Sequence, residues 1–410
     1  MWPNIYVLFL RLQIIFVLLH RNRRSNSLMI NRKYKIVYCT PSLYLSGGVE
    51  RVLTVKANYF ADVLGYDITI LLTDGKGKPF FFPLSDKVHV VNLDLGFEDL
   101  WNQTLIKKIF LYLLKQRRFK ESLAKELHRI KPDITISLLR REINFLTDID
   151  DGSKKIGELH INRVHYRNFL PHRSNFFKDL FSKFWMFGLV EKIQRLDRFV
   201  VLTEFDKQAW PEIPNVAVIP NPLPFIPSTV SNLQQKRVVA VGRYFDEKGY
   251  DMLLRAWSIV EQKIDGWTLD VYGDGARSQY VQLAETLRLD RNRCRLNASI
   301  KDVNKEYLAS SFFVCSSRYE GFGMGIIEAM VCGLPVVAFD CPWGPRSIIK
   351  DGEDGLLVTN GNYLHLADAM LSLMKAPDRL ALMANHARQN VLRFNIESVA
   401  RQWQHLFDEL

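Results

Sequence analysis

Two glutamates with seven residues between them, Glu320 and Glu328, stand in the stretch RYEGFGMGIIEAMVCGLPVVAF, with glycines at 321, 323 and 325 in between. Glycines let a main chain take unusual angles and pass close to a ligand. The free N–H groups that open a following helix form a site for an anion such as a diphosphate. Carboxylates placed before that helix and in its second turn would not repeat that role. They suit hydrogen bonds from hydroxyl groups. A ligand with a diphosphate in its middle and hydroxylated rings at both ends is a nucleotide-sugar.

A second cluster agrees. VGRYFDEKGYDML places Arg243 and Lys248 between an apolar run and a helical period, where two cations can neutralise a departing diphosphate without a metal. VYGDG, with Gly273 and Gly275, follows the next apolar run, where a backbone loop could pass a base or ribose. Each piece has a plainer reading. Glu320 could cap a helix and complement its dipole, and Arg243 and Lys248 could be solvated loop charges. A cap does not explain Glu328.

These residues need elements to hold them. KIVYCT reads as a strand, and the segment opened by SGGVERVL as a helix with Val49, Val52, Leu53, Ala57 and Phe60 on one face and Gly65 as its stop. DITILL, DITISL, KKIGELH and RFVVLT are further strands, with helical stretches between them. The alternation pauses at four prolines in 220–227. It restarts with RVVAVG, a helix over about 249–263, TLDVYGDG, a helix over about 278–288, RCRLN, FFVCSS, a helix from about 324 and PVVAF. Near-continuous apolar strands alternating with helices imply parallel sheets covered on both faces. The expected organisation is a segment 1–28, a first doubly wound domain 29–221, a hinge 222–236, a second domain 237–385, and C-terminal helices 386–410 packing back toward the first domain. The active site would lie in the cleft between the carboxyl ends of the strands.

The 410 residues carry a net charge of +11, unevenly spread. Residues 1–220 hold 34 Lys/Arg against 22 Asp/Glu, and residues 221–410 hold 21 against 22. Such asymmetry suggests that the first domain faces an anionic partner. Residues 104–133 and 162–195 interleave cations with apolar and aromatic residues, which fits docking on an anionic leaflet. No nucleic-acid motif accompanies the charge. Within IYVLFLRLQIIFVLLHRNRR, Arg11 and Gln13 interrupt a run of roughly the length of a short membrane span. Residues 1–28 therefore read either as a membrane-associating segment or as a mis-assigned start ahead of Met29. The five cysteines show no metal-type spacing and fit a reducing cytoplasm.

GGVERV, IPNPL, VGRYFDEKG, VYGDG and the E-x7-E of EGFGMGIIEAMVCGLPVVAFD together resemble the retaining family-4 glycosyltransferases of the GT-B fold. The continuation DCPWGPRSII is similar to the subgroup found with bacterial capsule, exopolysaccharide and O-antigen (lipopolysaccharide) synthesis. The resemblance covers roughly residues 34–410. It implies that Arg243 and Lys248 hold the donor diphosphate and that Glu328 accepts from the ribose hydroxyls. Glu320 would contact the donor sugar, and the amides of Gly321, Phe322 and Gly323 would lie against sugar and phosphate. Gly47 and Gly48 would close a first-domain loop over the donor. A histidine beside the transferred sugar would be His160, with His165 as the alternative, because Glu158 stands two residues before His160 and the family often has a glutamate directly before. The resemblance further implies a UDP-sugar donor, no cofactor, a lipid-linked saccharide acceptor, and a peripheral position on the inner face of the cytoplasmic membrane. The sequence DID at Asp148–Asp150 has the form of a metal-binding pair, a device of a different glycosyltransferase fold, and no metal is expected. Two other functions would suit such domains: a dinucleotide-dependent oxidoreductase, for which VYGDGARSQY lacks the third glycine, and a non-catalytic sugar-binding protein.

Overall fold

The apolar runs become two parallel sheets in the computed structural model, which describes residues 32–100, 103–163, Tyr166 and 188–410. The first sheet holds β1 (Lys35–Thr40), β2 (Asp67–Leu72), β3 (Val88–Asn92), β4 (Ile134–Ser137), β5 (Lys154–Glu158), β6 (Arg198–Val201) and β7 (Val216–Val218), in the order β3-β2-β1-β4-β5-β6-β7. The second holds β8 (Arg237–Val241), β9 (Thr268–Tyr272), β10 (Cys294–Asn297), β11 (Phe312–Cys315), β12 (Val336–Phe339) and β13 (Gly355–Val358), in the order β10-β9-β8-β11-β12-β13. In each sheet the strand order reverses once, between β1 and β4 and between β8 and β11. Loops leaving the carboxyl ends of those neighbours diverge and open a crevice.

Side-chain alternation sorts each strand onto two cores. In β1, Ile36 and Tyr38 face α1 (Gly48–Asp62), while Val37 and Cys39 face α2 (Leu105–Ile130) through Phe119, Leu123 and Leu127. In β8, Val238 and Ala240 face α3 (Tyr250–Lys263), and Val239 faces α4 (Met324–Val331). Two further helices cover the second sheet, α5 (Tyr363–Met374) and α6 (Pro377–Val391). Gly65, at φ +69°, follows α1 as its expected stop, and the helix placed at about 278–288 runs Arg277–Thr286.

The expected boundary at 385/386 is corrected by the structure. It falls inside α6, whose Ala387 and Val391 are buried against α4 in the second core. The chain turns back only at Leu392–Phe394 and delivers α7 (Ile396–Asp408) to the first domain. There Val399, Ala400, Trp403, Leu406 and Phe407 join the core of α1 and β1, and Tyr34 Oη donates to Asp408 Oδ1 at 2.6 Å. The proline-rich hinge lies along the second domain: Leu223 N donates to Phe394 O at 2.8 Å, and Ser231 N to Cys332 O at 2.9 Å. Among the described residues no helix is long and apolar enough to cross a membrane. Residues 1–28, His165 and most of 162–195 lie outside the described residues.

Candidate active site

The second domain contributes two loops at its switch point. The loop after β8 carries Arg243 and Lys248 and ends at Gly249, in the left-handed region at φ +61°. A Cβ on Gly249 would sit 2.1 Å from Ser316 O, so only glycine lets this loop lie against the end of β11. Ser316 Oγ donates to Lys248 O at 2.8 Å and locks the approach. Lys248 Nζ thereby reaches Glu320 Oε1 at 2.6 Å, an oxygen that also accepts from Ser317 Oγ at 2.7 Å. Burial pulls the Lys248 pKa down, but the Glu320 carboxylate outweighs it and the net shift is upward. The ammonium is therefore held charged.

The loop after β11 turns through Gly323, at φ +108°, into α4. The amides of Gly321, Phe322 and Gly323 donate to no main-chain acceptor among the described residues. Lys248, Ser317, Glu320, Gly323 and Gly325 line one partly open hollow of about 20 Å³, room for about one water. Arg243 stands outside it. Its guanidinium donates to Glu247 Oε1 at 3.1 Å, lies 4.8 Å from the Phe245 ring centroid, and is 60% exposed. Of the groups expected to meet a donor diphosphate, Lys248 and Gly323 line this hollow, which the second domain builds alone, while Gly321 and Phe322 do not, and Glu247, four residues on, draws the Arg243 guanidinium aside.

The first domain faces these loops with its own carboxyl edge. Gly48 would place a Cβ 3.6 Å from Met324 Cγ at the start of α4, and Gly47 caps α1 beside the Glu50 carboxylate. Burial raises the Glu50 pKa, while Arg140, Arg243 and His160 pull it back. Ser46 Oγ donates to Asp274 Oδ2 at 3.4 Å, and Asn162 Nδ2 to Glu320 O at 3.4 Å. The main chain of His160 meets Gly321, where a Cβ would come within 2.4 Å of His160 O. The His160 ring is almost buried, with Nε2 3.3 Å from Glu158 Oε1. Glu158 itself is buried against Lys56 of α1, whose ammonium lies 4.5 Å from the Trp403 ring centroid. Burial would raise the Glu158 pKa, but Lys56 and His160 hold it below the usual carboxylate range.

Glu328 is the largest surprise of the site. Its carboxylate is 6% exposed and accepts from Arg51 Nη1 of α1 at 2.8 Å and from Tyr307 Oη at 3.2 Å. Arg51 reaches it between Phe82 and Phe225, each ring centroid 5.4 Å from the guanidinium. Arg51 stands inside GGVERV, where nothing local marks a role for it, and its partner lies 277 residues away. Gly273 is packed so closely that a Cβ would meet Gly242 O at 1.9 Å, and Gly275, at φ +113°, pairs with Tyr244 in a short bridge. Both therefore join the β8 and β9 loops to each other. Asp148 of the DID stretch is taken by Arg195 at 2.8 Å and Lys120 at 3.5 Å. The five cysteines are free and buried.

Residues 235–376 match the family model described as Glycosyl transferases group 1. The chain is 26% identical over 377 residues to an uncharacterized glycosyltransferase of Haemophilus influenzae, covering 90% of this chain and 99% of that protein. It is 32% identical over 238 residues to the amylovoran biosynthesis glycosyltransferase AmsD of Erwinia amylovora, covering 55% of this chain and 64% of that one. Among solved structures it is similar in fold to a mutant of S. aureus TarM in complex with fondaparinux, α-GlcNAc-glycerol and UDP. That likeness has a TM-score of 0.74 at 17% identity, over 92% of this chain and 100% of the other. Two parallel-sheet domains similar in fold to TarM give the chain the GT-B architecture, and a stretch within the second of them matches the glycosyl transferases group 1 model.

Proposed function

We propose that the chain is a retaining, family-4-like hexosyltransferase that moves a sugar from a UDP-sugar to a lipid-linked or growing bacterial surface glycan of the O-antigen, capsule or exopolysaccharide kind. It would work without a metal, at the inner face of the cytoplasmic membrane. One observation carries this reading: Lys248, Glu320 and the start of α4 line one hollow at the switch point of the second sheet, and Gly48 of the first domain lies against Met324 at that helix start. The similarity to AmsD, named for amylovoran biosynthesis, and to a TarM crystallised with UDP supports the glycan class and the nucleotide.

In this reaction the bond from the sugar C1 to the diphosphate oxygen breaks and a bond from C1 to the acceptor oxygen forms on the same face. The acceptor proton passes to the departing phosphate oxygen, so no external base or oxidant is needed. Lys248 and the amides at Gly321–Gly323 meet the charge that grows on the diphosphate, with Arg243 swinging in from the rim. Glu320 takes sugar hydroxyls, Glu328 takes the ribose once Arg51, its partner in this structure, turns aside, and His160 lies beside the transferred sugar. Mass spectrometry of the purified protein with a panel of UDP- and GDP-sugars tests the reading. It expects consumption of a UDP-sugar, unchanged by EDTA, and thermal stabilisation by UDP. Stabilisation by NAD alone, or loss of turnover in EDTA, overturns it.

A further inference from the structure

Helix α2 has 26 residues, so at 1.5 Å per residue it is about 39 Å long, far longer than the strands of four to six residues beside it. Its register against the sheet is fixed by Lys115, whose Nζ donates to Leu95 O at 2.5 Å and Gly96 O at 2.6 Å just after β3. Position 115 thus marks the carboxyl edge of the sheet. Because α2 runs back from β3 to the parallel strand β4, residues 105–114 extend past that edge by about 15 Å. This is the edge that carries Gly47, Gly48 and His160.

Beyond position 115 the helix is an ordinary core element, with Phe119, Leu123, Leu127 and Ile130 buried. On the overhang Leu111 and Tyr112 still pack against the first-domain core, while four other apolar residues turn outward. Ile109, Phe110, Leu113 and Leu114 are 54%, 62%, 62% and 51% exposed. At 100° per residue they span a sector of about 140° that begins where the buried stripe ends, with Ile109 in line with Leu127. Arg117 and Lys120 fall within that sector, and Lys107 and Arg118 lie along its far border. Residues 101–120 hold six Lys/Arg and no Asp/Glu. Contiguous exposed apolar side chains bordered by cations are the signature of a helix that lies in a bilayer interface, with its apolar face among acyl chains and its cations on anionic headgroups.

We propose that the overhanging half of α2 docks the enzyme on an anionic lipid bilayer and so presents the cleft to a membrane-borne acceptor. This rests on the lipid-linked acceptor of the proposed function. Flotation of the full-length protein with vesicles of phosphatidylcholine alone, or containing about 30% phosphatidylglycerol, tests it. The wild type is expected to float with the anionic vesicles, far less with the neutral ones, and less as salt rises. Phe110→Ser with Leu113→Ser, and separately Lys107→Glu with Arg118→Glu, are expected to lower the floated fraction by about tenfold or more. Stabilisation by UDP should stay unchanged in both, because these side chains lie outside the donor site. Equal flotation of variants and wild type would overturn the docking surface. A dimer split by the Phe110/Leu113 pair, with no flotation, would assign the patch to a second copy and also overturn it. Flotation without any response to UDP would leave the docking intact and remove the donor assignment instead.

Discussion

The Arg51–Glu328 pair joins the two domains through one nearly buried carboxylate, and replacing Arg51 by Met tests whether that pair bears weight. Removing one member of a fully buried ion pair costs about 3–5 kcal/mol. Here Arg51 is 23% exposed and Glu328 6%, so water reaches the cation, and Glu328 keeps the Tyr307 hydroxyl at 3.2 Å. A cost of about 2 kcal/mol at pH 8 follows, or a Tm lower by about 4–8 °C. The sign with pH is fixed by Glu328. Burial raises its pKa, opposed by Arg51 and Tyr307, and loss of Arg51 raises it further. A carboxyl whose folded pKa lies above its unfolded value of about 4.3 binds more protons when folded, so its unfavourable share grows as pH rises and fades as pH falls. Differential scanning calorimetry at pH 5 and pH 8 should therefore show a smaller Tm loss at the lower pH. Adding Glu328→Gln, which leaves no charge to strand, should restore most of the loss, with a coupling of about 1 kcal/mol or more. An Arg51→Met protein that melts like wild type at both values, or a double variant no better than the single, would refute the argument.

Other perturbations reach other parts of the site. Lys248→Ala and Arg243→Ala should each lower turnover about a hundredfold, and rates within about twofold of wild type would remove them from the diphosphate. Gly321→Ala puts a methyl 2.4 Å from His160 O, so the domains must part. Turnover should fall about a hundredfold while circular dichroism of each domain's helices stays unchanged. Asp206 is buried, and burial pushes its pKa up to about 7, against the pull of Arg163 and Trp210. Its folded form holds a proton that the unfolded chain has lost, so this carboxyl destabilises increasingly as pH rises from about 4 to 7. Asp206→Asn should accordingly raise Tm at pH 8 more than at pH 4.5, and an equal change at both would contradict the burial argument.

Central strands were legible because parallel sheets bury both faces, leaving runs such as KIVYCT and FFVCSS almost wholly apolar. Sequence patterning does not anticipate β3, β7 and β13, and all three are edge strands. With a neighbour on one side only, β3 and β7 stay partly exposed along most of their length, and VHVVN or VAV carries no run to read. At the site, residue types and spacing brought out Lys248, Glu320 and the turn into α4. They did not bring out Arg51, Ser46 or Asn162, whose partners sit across the cleft at separations of 277, 228 and 158 residues. Nothing local marks such a residue: on α1, Arg51 looks like one polar position of an amphipathic helix. The half-exposed state of Arg243 was equally hidden, since it depends on which way a flexible guanidinium turns.

The chain passes between its two lobes twice, once along the prolines after Ile219 and again at Leu392–Phe394, and the two passages are tied together by the bond from Leu223 N to Phe394 O. A single tether would let one lobe swivel and twist freely on the other. Two tethers laid side by side act as the pin of a door: any swing of the lobes is confined to one axis, which keeps the register of Gly48 on Met324 and Gly321 on His160. Cutting the peptide at either passage would leave both lobes folded and still attached, yet would turn a repeatable swing into a wobble.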